Sequence, residues 1–193
     1  HLLLYQPAIQ WIKEKLDENF LGNIYSLHQE RVKLGRARYI ENVTWSLGVH
    51  DLAVLLYLVD EIPSSTFASG HCGLQKEVED DVYVHLTFPS GVKAHLHNSW
   101  LWPENRRNLT VVGERGMLVY DEVNQRVVFH QKTIDADLNN RNEGEEVVFE
   151  SSEQPLIIEL SHFLDCCRNR TRPRSDGENG ARVVEVLEQI AGG

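Results

Sequence analysis

A chain of 193 residues, 41% hydrophobic and 25% charged, fits one globular domain with a full-sized core. Its formal net charge of −10 opposes binding to nucleic acid or to an anionic membrane surface, so an anionic ligand would need a local cluster of Arg and Lys. Cys72 and the adjacent Cys166 and Cys167 give neither a disulfide framework nor a metal-ligand spacing, which points to reduced thiols in a cytoplasmic protein; no apolar run approaches the ~20 residues that span a bilayer, and no basic region precedes an apolar one at the start.

In chain order, His1 to Tyr5 reads as a short apolar strand. Pro7 suits the first turn of a helix whose stripe is Ile9, Trp11, Ile12 and Leu16, running on to Gly22. Asn23 to Leu34 reads as a strand with a mixed pattern, Leu27, Gln29 and Arg31 on one side and His28, Glu30 and Val32 on the other. The loop Gly35-Arg36-Ala37-Arg38-Tyr39 is basic and aromatic; Arg36 and Arg38 are candidates for a diphosphate and Tyr39 for stacking on a sugar or base, against the plainer reading of a solvated loop. Next comes Trp45-Ser46-Leu47-Gly48-Val49-His50-Asp51, after which the chain is apolar or aromatic through Leu58. A helix buried nearly all round would hold His50 rigidly at its first turn. The positive end of the helix dipole there disfavours imidazolium, leaving His50 able to accept a proton from a substrate hydroxyl; the competing reading is that His50 and Asp51 cap a core helix.

Ile62-Pro63 stops that helix, and Ser65 to Gly73 reads as a strand. Val82, Val84, Leu86 and Phe88 then alternate with Tyr83, His85 and Thr87, and after Pro89-Ser90-Gly91 the residues Val92, Ala94 and Leu96 alternate with Lys93, His95 and His97. A turn pairing Phe88 with Val92 sets His85 opposite His95 and Tyr83 opposite His97, making one apolar face and one His-rich face. No acid or cysteine at fitting spacing joins His85, His95 and His97, so no metal is assigned. Trp100 and Trp102 suggest a wall of a pocket or interface. Strands follow at Leu109 to Val112, Met117 to Tyr120 and Arg126 to His130; Gly113-Glu114-Arg115-Gly116 joins strand to strand and so lacks the helix N-terminus of a phosphate loop. The polar stretch Thr133 to Glu146 reads as a mobile surface excursion. Two helices finish the chain. The first, about Pro155 to Cys167, is expected to bury Leu156, Leu160, Phe163 and Leu164; the second opens with the capping box Ser175-Asp176-Gly177-Glu178 and buries Val183, Val184, Val186, Leu187 and Ile190. The expected class is α+β, an open-faced, mostly antiparallel mixed sheet with helices packed on one face.

Six segments carry a resemblance along the whole chain: His1 to Ala8, Leu21 to Tyr25, Gly48-Val49-His50-Asp51, Asn98-Ser99-Trp100, Val112 to Gly116, and Asp176-Gly177 with Ala181 to Glu188. Their order resembles the C-terminal domain of the Gfo/Idh/MocA family of nicotinamide-dependent sugar oxidoreductases. The Trp45-Ser46 and His50-Asp51 pattern is most similar to the branch that oxidises UDP-N-acetylglucosamine-type sugars at C3. The resemblance implies that residues 1–22 are the last strand and linking helix of a dinucleotide-binding domain, and residues 23–193 a substrate-binding and oligomerisation domain. It makes His50 the acid/base and puts Ser46, Asp51 and His1 near substrate. Many members carry Asp four residues before the His; here Ser46 stands there, so the resemblance does not supply a carboxylate partner for His50. NAD or NADP belongs to the full-length enzyme and none is expected on this chain alone, which has neither a strand-GxGxxG-helix unit nor the family's Glu-Lys-Pro triad. The implied partners are a sugar or nucleotide sugar and further copies of the chain, a homodimer or tetramer formed through the open sheet face. The alternative is a non-catalytic sugar-nucleotide-binding or oligomerisation module.

Overall fold

The computed structural model describes residues 1–191. Eight strands form one open sheet in the order β2-β3-β4-β1-β5-β6-β7-β8. They are β1 Ile24–Val32, β2 Ser65–His71, β3 Asp81–Thr87, β4 Lys93–Ser99, β5 Arg106–Gly113, β6 Gly116–Asp121, β7 Arg126–Ile134 and β8 Asn140–Glu150. Only β1 and β4 run parallel; every other pairing is antiparallel, as expected of a sheet built mainly from hairpins. The helices are α1 Pro7–Asp17, α2 Val49–Val59, α3 Pro155–Asn169 and α4 Gly177–Ala191.

Strand periodicity divides the sheet into two chemically different faces. Leu27 on β1, Val82, Val84 and Leu86 on β3, Ala94 and Leu96 on β4, and Leu109 and Val111 on β5 are buried, as are seven of the eleven residues of α2. α2 packs on β1 and β4, and α4 on β2, so this is the helix-covered face. Tyr83, His85 and His28 stand on the other face and are exposed. The β3-β4 hairpin has the expected register, His85 opposite His95 and Tyr83 opposite His97, closed by Phe88 N–H donating to the Val92 carbonyl at 3.0 Å. Gly91 makes this turn possible, since its φ of +91° is a conformation side-chain-bearing residues avoid.

Five local expectations change. Leu2–Tyr5 is a 3₁₀ turn and not a strand: its N–H groups are satisfied locally, Leu4 to His1 and Gln6 to Leu3, while Leu3, Leu4 and Tyr5 are buried. α2 ends before Ile62-Pro63, on Asp60 in the left-handed conformation. The polar stretch read as a mobile excursion contains most of β8, which pairs with β7 from Arg126 opposite Glu150 to Ile134 opposite Asn140. An edge strand wet on both sides needs backbone pairing and no apolar face, so composition hid it. The cap of α4 is Asp176, accepting from Asn179 N–H at 2.8 Å; Ser175 instead meets the Tyr5 hydroxyl at 2.9 Å. Within that fourth change, Val184 on the same helix is exposed, though Val183, Val186, Leu187 and Ile190 are buried.

The fifth change is the largest. α3 has the periodicity of a buried helix, yet Leu156, Ile157, Leu160, Phe163 and Leu164 are exposed and only Cys166 is buried. The helix is tied to the 3₁₀ turn through its other side: the His162 ring lies 5.4 Å from Tyr5, and its Nε2 accepts from Arg174 N–H at 3.1 Å. A direct consequence concerns stability. Leu160, 55% exposed, should tolerate Ala within about 0.5 kcal/mol. Leu55 in α2, 0% exposed, should lose about 2–5 kcal/mol on the same change. Urea denaturation of the two variants measures the contrast, and equal losses would place α3 in the core.

Candidate active site

The site is assembled around a helical segment that starts before α2. Thr44–Gly48 forms a π turn in which Val49 N–H reaches back to the Thr44 carbonyl, and Gly48 and Val49 keep right-handed helical angles into α2. Asn42 caps this segment, its side-chain oxygen accepting from Trp45 N–H at 3.0 Å. His50 therefore lies more than a turn inside a continuous helical stretch, and the free N–H groups expected beside it are spent. The expected dipole effect gives way to other causes. His50 opens into a cavity of ≈ 270 Å³ whose walls displace much of the surrounding water, and that desolvation, followed by the positive charge of Arg31, holds its pKa below the ordinary histidine value. At neutral pH the ring is uncharged and can accept a proton.

Behind His50, Asp51 is fully buried and faces the interior. Arg31 Nε donates to its Oδ1 at 2.7 Å, Gln29 Nε2 to the same oxygen at 3.2 Å, and Asn98 Nδ2 to Oδ2 at 2.7 Å. Burial pushes the Asp51 carboxyl up, and Arg31 and Asn98 oppose that push by stabilising the carboxylate. Asp51 is thus an anchor for α2 and does not line the His50 cavity. Gly48 makes the anchor possible: a Cβ there would lie 2.6 Å from Asn98 Oδ1.

Arg31 continues to Glu122, just past the end of β6. Its Nη1 and Nη2 donate to the two carboxylate oxygens at 3.0 and 2.6 Å, and Arg107 Nη1 adds a third bond at 3.2 Å. Burial alone would raise the Glu122 carboxyl, but the bonds and charges of Arg31 and Arg107 carry it below the usual range. Arg31 is likewise destabilised by burial, yet Asp51 and Glu122 together keep it charged throughout the physiological range.

Of the residues proposed from sequence, His50 and Ser46 line one cavity, with Leu2 and Leu3 from the 3₁₀ turn beside them. His1 precedes these but is not itself in the lining. Arg36, Arg38 and Tyr39 are exposed and outside the lining; Arg38 faces Glu41 at 3.2 Å. The cations in the lining are instead Arg31, Lys33 and Arg107. Arg31 could have been suspected, because period 2 from Leu27 puts it in the buried register, where an ion demands a partner. Glu122, 91 residues away, gives no such signal. A roomier cleft of ≈ 560 Å³ lies between α1 and the end of α2, but its ionisable groups, Lys13, Asp17, Asp60 and Glu61, include no histidine or buried ion network.

With this geometry in hand, the likeness to known proteins can be judged. Residues 9–119 match the GFO/IDH/MocA C-terminal domain, and the chain belongs to that family of oxidoreductases. UDP-N-acetylglucosamine 3-dehydrogenase GnnA from Acidithiobacillus ferrooxidans superposes with a TM-score of 0.82 at 23% identity, covering 98% of this chain and 58% of that one. A protein from Magnetospirillum magnetotacticum MS-1 gives 0.81 at 28% identity, with 98% and 61% covered. An NAD binding oxidoreductase from Klebsiella pneumoniae gives 0.84 at 15% identity, with 99% and 62% covered. No curated protein matches the sequence. The chain thus spans about three-fifths of the length of these solved structures.

The family's nicotinamide nucleotide finds no phosphate cradle among the described residues. Gly113 to Gly116 connects β5 to β6 as a strand-to-strand turn with no helix N-terminus to hold a phosphate, and a Cβ at Gly113 or Gly116 would press on Leu21 or Phe129. No group of three or more His, Cys, Asp or Glu is placed to hold a metal ion, and no helix is long and apolar enough to cross a membrane, among the described residues.

The ion network makes a checkable statement about stability. Glu122→Gln leaves Arg31 and Arg107 short of a charge and should lose about 3–5 kcal/mol in urea denaturation at pH 7, as breaking a buried pair does. The pH dependence has a definite sign. Because the folded-state pKa of Glu122 is depressed, its contribution is complete above the unfolded carboxylate value and is lost as pH falls through the folded value. The variant should therefore lose less stability than the parent on acidification, and parallel curves would remove Glu122 from the account.

Proposed function

We propose that this chain is the substrate-side domain of an NAD(P)-dependent sugar dehydrogenase, with His50 as the group that takes the proton of the alcohol being oxidised. The single observation carrying this reading is a neutral histidine at a cavity mouth, fixed to the sheet by the Asp51, Arg31 and Glu122 anchor immediately behind it. Ser46 stands in the same cavity as a hydrogen-bonding neighbour for a sugar hydroxyl. The nicotinamide nucleotide would accept the hydride; it belongs to the portion that the longer relatives possess beyond the length matched here. The exposed apolar face of α3, beside the 3₁₀ turn, supports a preceding dinucleotide-binding domain of which residues 1–22 are the end. The family membership and the likeness to GnnA favour a nucleotide sugar of the UDP-N-acetylglucosamine type among possible substrates. In the full-length enzyme, His50→Asn should lower kcat by about 10² to 10⁴ with a smaller change in KM, the usual worth of a positioned acid/base. Steady-state kinetics decides it, and unchanged turnover would leave His50 a structural residue.

The partner in this reading is a second copy covering the open sheet face. Phe67, Tyr83 and His85 are exposed there, Phe67 stacks on His85, and His85 Nδ1 meets His95 Nδ1 at 2.7 Å. Nitrogens this close share one proton. His28 on β1 and Lys93 on β4 add further positive potential, and burial followed by these neighbours lowers the His95 pKa. With its pKa depressed, His95 is neutral at pH 8, and its protonation as pH falls adds to the positive charge that Lys93 already supplies. Sedimentation velocity should show a dimer or tetramer at pH 8 that dissociates by about pH 5; a monomer at pH 8 would refute the assembly.

A further inference from the structure

The cavity at His50 has a charge that the mechanism above does not use. Three cations line it, Arg31, Lys33 and Arg107, against one carboxylate, Glu122. Counting Asp51 behind Arg31 still leaves an excess of one positive charge, in a chain whose formal net charge is −10. The excess is not spread evenly. Arg31 is committed to carboxylates through all three of its nitrogens, Nε to Asp51 and both terminal nitrogens to Glu122, and it is buried. Arg107 gives only Nη1 to Glu122 and is 35% exposed, so the rest of its fork is available. Lys33, next along β1 from the buried Val32, reaches the same lining, and among the described residues no carboxylate lies within ion-pair distance of its ammonium.

We infer that the His50 cavity is a binding site for a sugar bearing an anionic group, a carboxylate or a phosphate, which Lys33 and the free side of the Arg107 guanidinium hold while the neutral part of the ring faces His50. Lys33 supplies a mobile point charge and Arg107 a planar fork, the pair of donors that oxyanion recognition uses. Glu122 does not defeat the site, because both of its oxygens are already bonded by Arg31 and one also by Arg107. Its role is to hold Arg107 in place and to repel an anion that would settle too deep, on Arg31. The inference rests on the reading of His50 as a sugar site, and it replaces Arg36 and Arg38 as the residues that meet substrate charge.

Titration of the isotope-labelled chain with glucuronate, glucose 6-phosphate, glucose and inorganic phosphate, followed by NMR, tests both layers separately. Glucuronate or glucose 6-phosphate should shift the signals of Lys33, Ser46 and His50 with an affinity at least about tenfold above that of glucose, the worth of a charge-assisted hydrogen bond. The two charged sugars distinguish a carboxylate from a phosphate site. Lys33→Gln should remove that preference and Lys33→Arg restore most of it, while an unchanged fold is checked in the same spectra. Glucose binding at His50 as well as the charged sugars do would overturn the anionic site and leave the sugar site standing. Shifts with inorganic phosphate equal to those with glucose 6-phosphate would mean an adventitious ion only, and shifts from none of the sugars would overturn both.

Discussion

The arrangement of this domain depends on one buried cation. Arg31 sits on a central strand, under the helix that carries His50, and its desolvation would be prohibitive without partners. Those partners come from separate parts of the chain: Asp51 from α2, Glu122 from the end of β6, and through Glu122 the neighbouring strand residue Arg107. Moving α2 along the sheet by one turn would strand both Arg31 and Asp51 as unpaired buried charges, an outcome far worse than the loss of a few apolar contacts. An ion pair of this kind adds little net stability compared with a well-packed apolar replacement, but it selects one position for the helix among many of similar hydrophobic burial. The same charge adds to the desolvation that lowers the His50 pKa, so positioning and proton affinity are coupled through Arg31.

The π turn ahead of α2 belongs to the same construction. Asp51 must point into the protein while His50, one residue earlier, points into the cavity, and Asn98 must come close enough to α2 to donate at 2.7 Å. Gly48 removes the only side chain in the way. The wider π turn then adjusts the phase of the helix before His50, where such single turns commonly accompany functional residues. The Asn98 carbonyl oxygen is left buried without a partner of its own, a local cost accepted where the helix approaches the strand.

Legibility from sequence followed the range of the interactions. The β3-β4 hairpin, down to the facing pairs of His85 with His95 and Tyr83 with His97, could be read because a three-residue turn and period-2 alternation are local properties. His50 stood out through the contrast between an ionisable pair and the apolar run behind it. Glu122 and Arg107 did not, because their meaning comes from Arg31, which is distant in sequence and adjacent only through sheet order. Arg36 and Arg38 were attractive for the opposite reason, closeness to His50 in sequence, whereas both are exposed and outside the lining of its cavity. α3 misled because periodicity reports that a helix face is apolar without saying what covers it, and β8 misled because a strand wet on both faces has no hydrophobic signature.

The two functions assigned to the sheet are linked by its register. On β1, His28 and Glu30 look to the open face while Gln29 and Arg31 look to the helices; on β4, His95 and His97 oppose Leu96 and Asn98 in the same way. A slip of one residue would put the histidines among the core side chains and Arg31 in solvent, so an error that spoiled the proposed association face would spoil the candidate site as well. The irregularity in the β1-β5 pairing falls between Ile24 and Ser26, ahead of Leu27, and pairing is continuous from Leu27 to Val32. The hairpin turn at Gly91 holds β4 to β3 at the other side. Register is therefore secured on both sides of the segment that carries Arg31, and the strand backbone keeps the histidines of the open face and the buried charge network on opposite sides of the sheet.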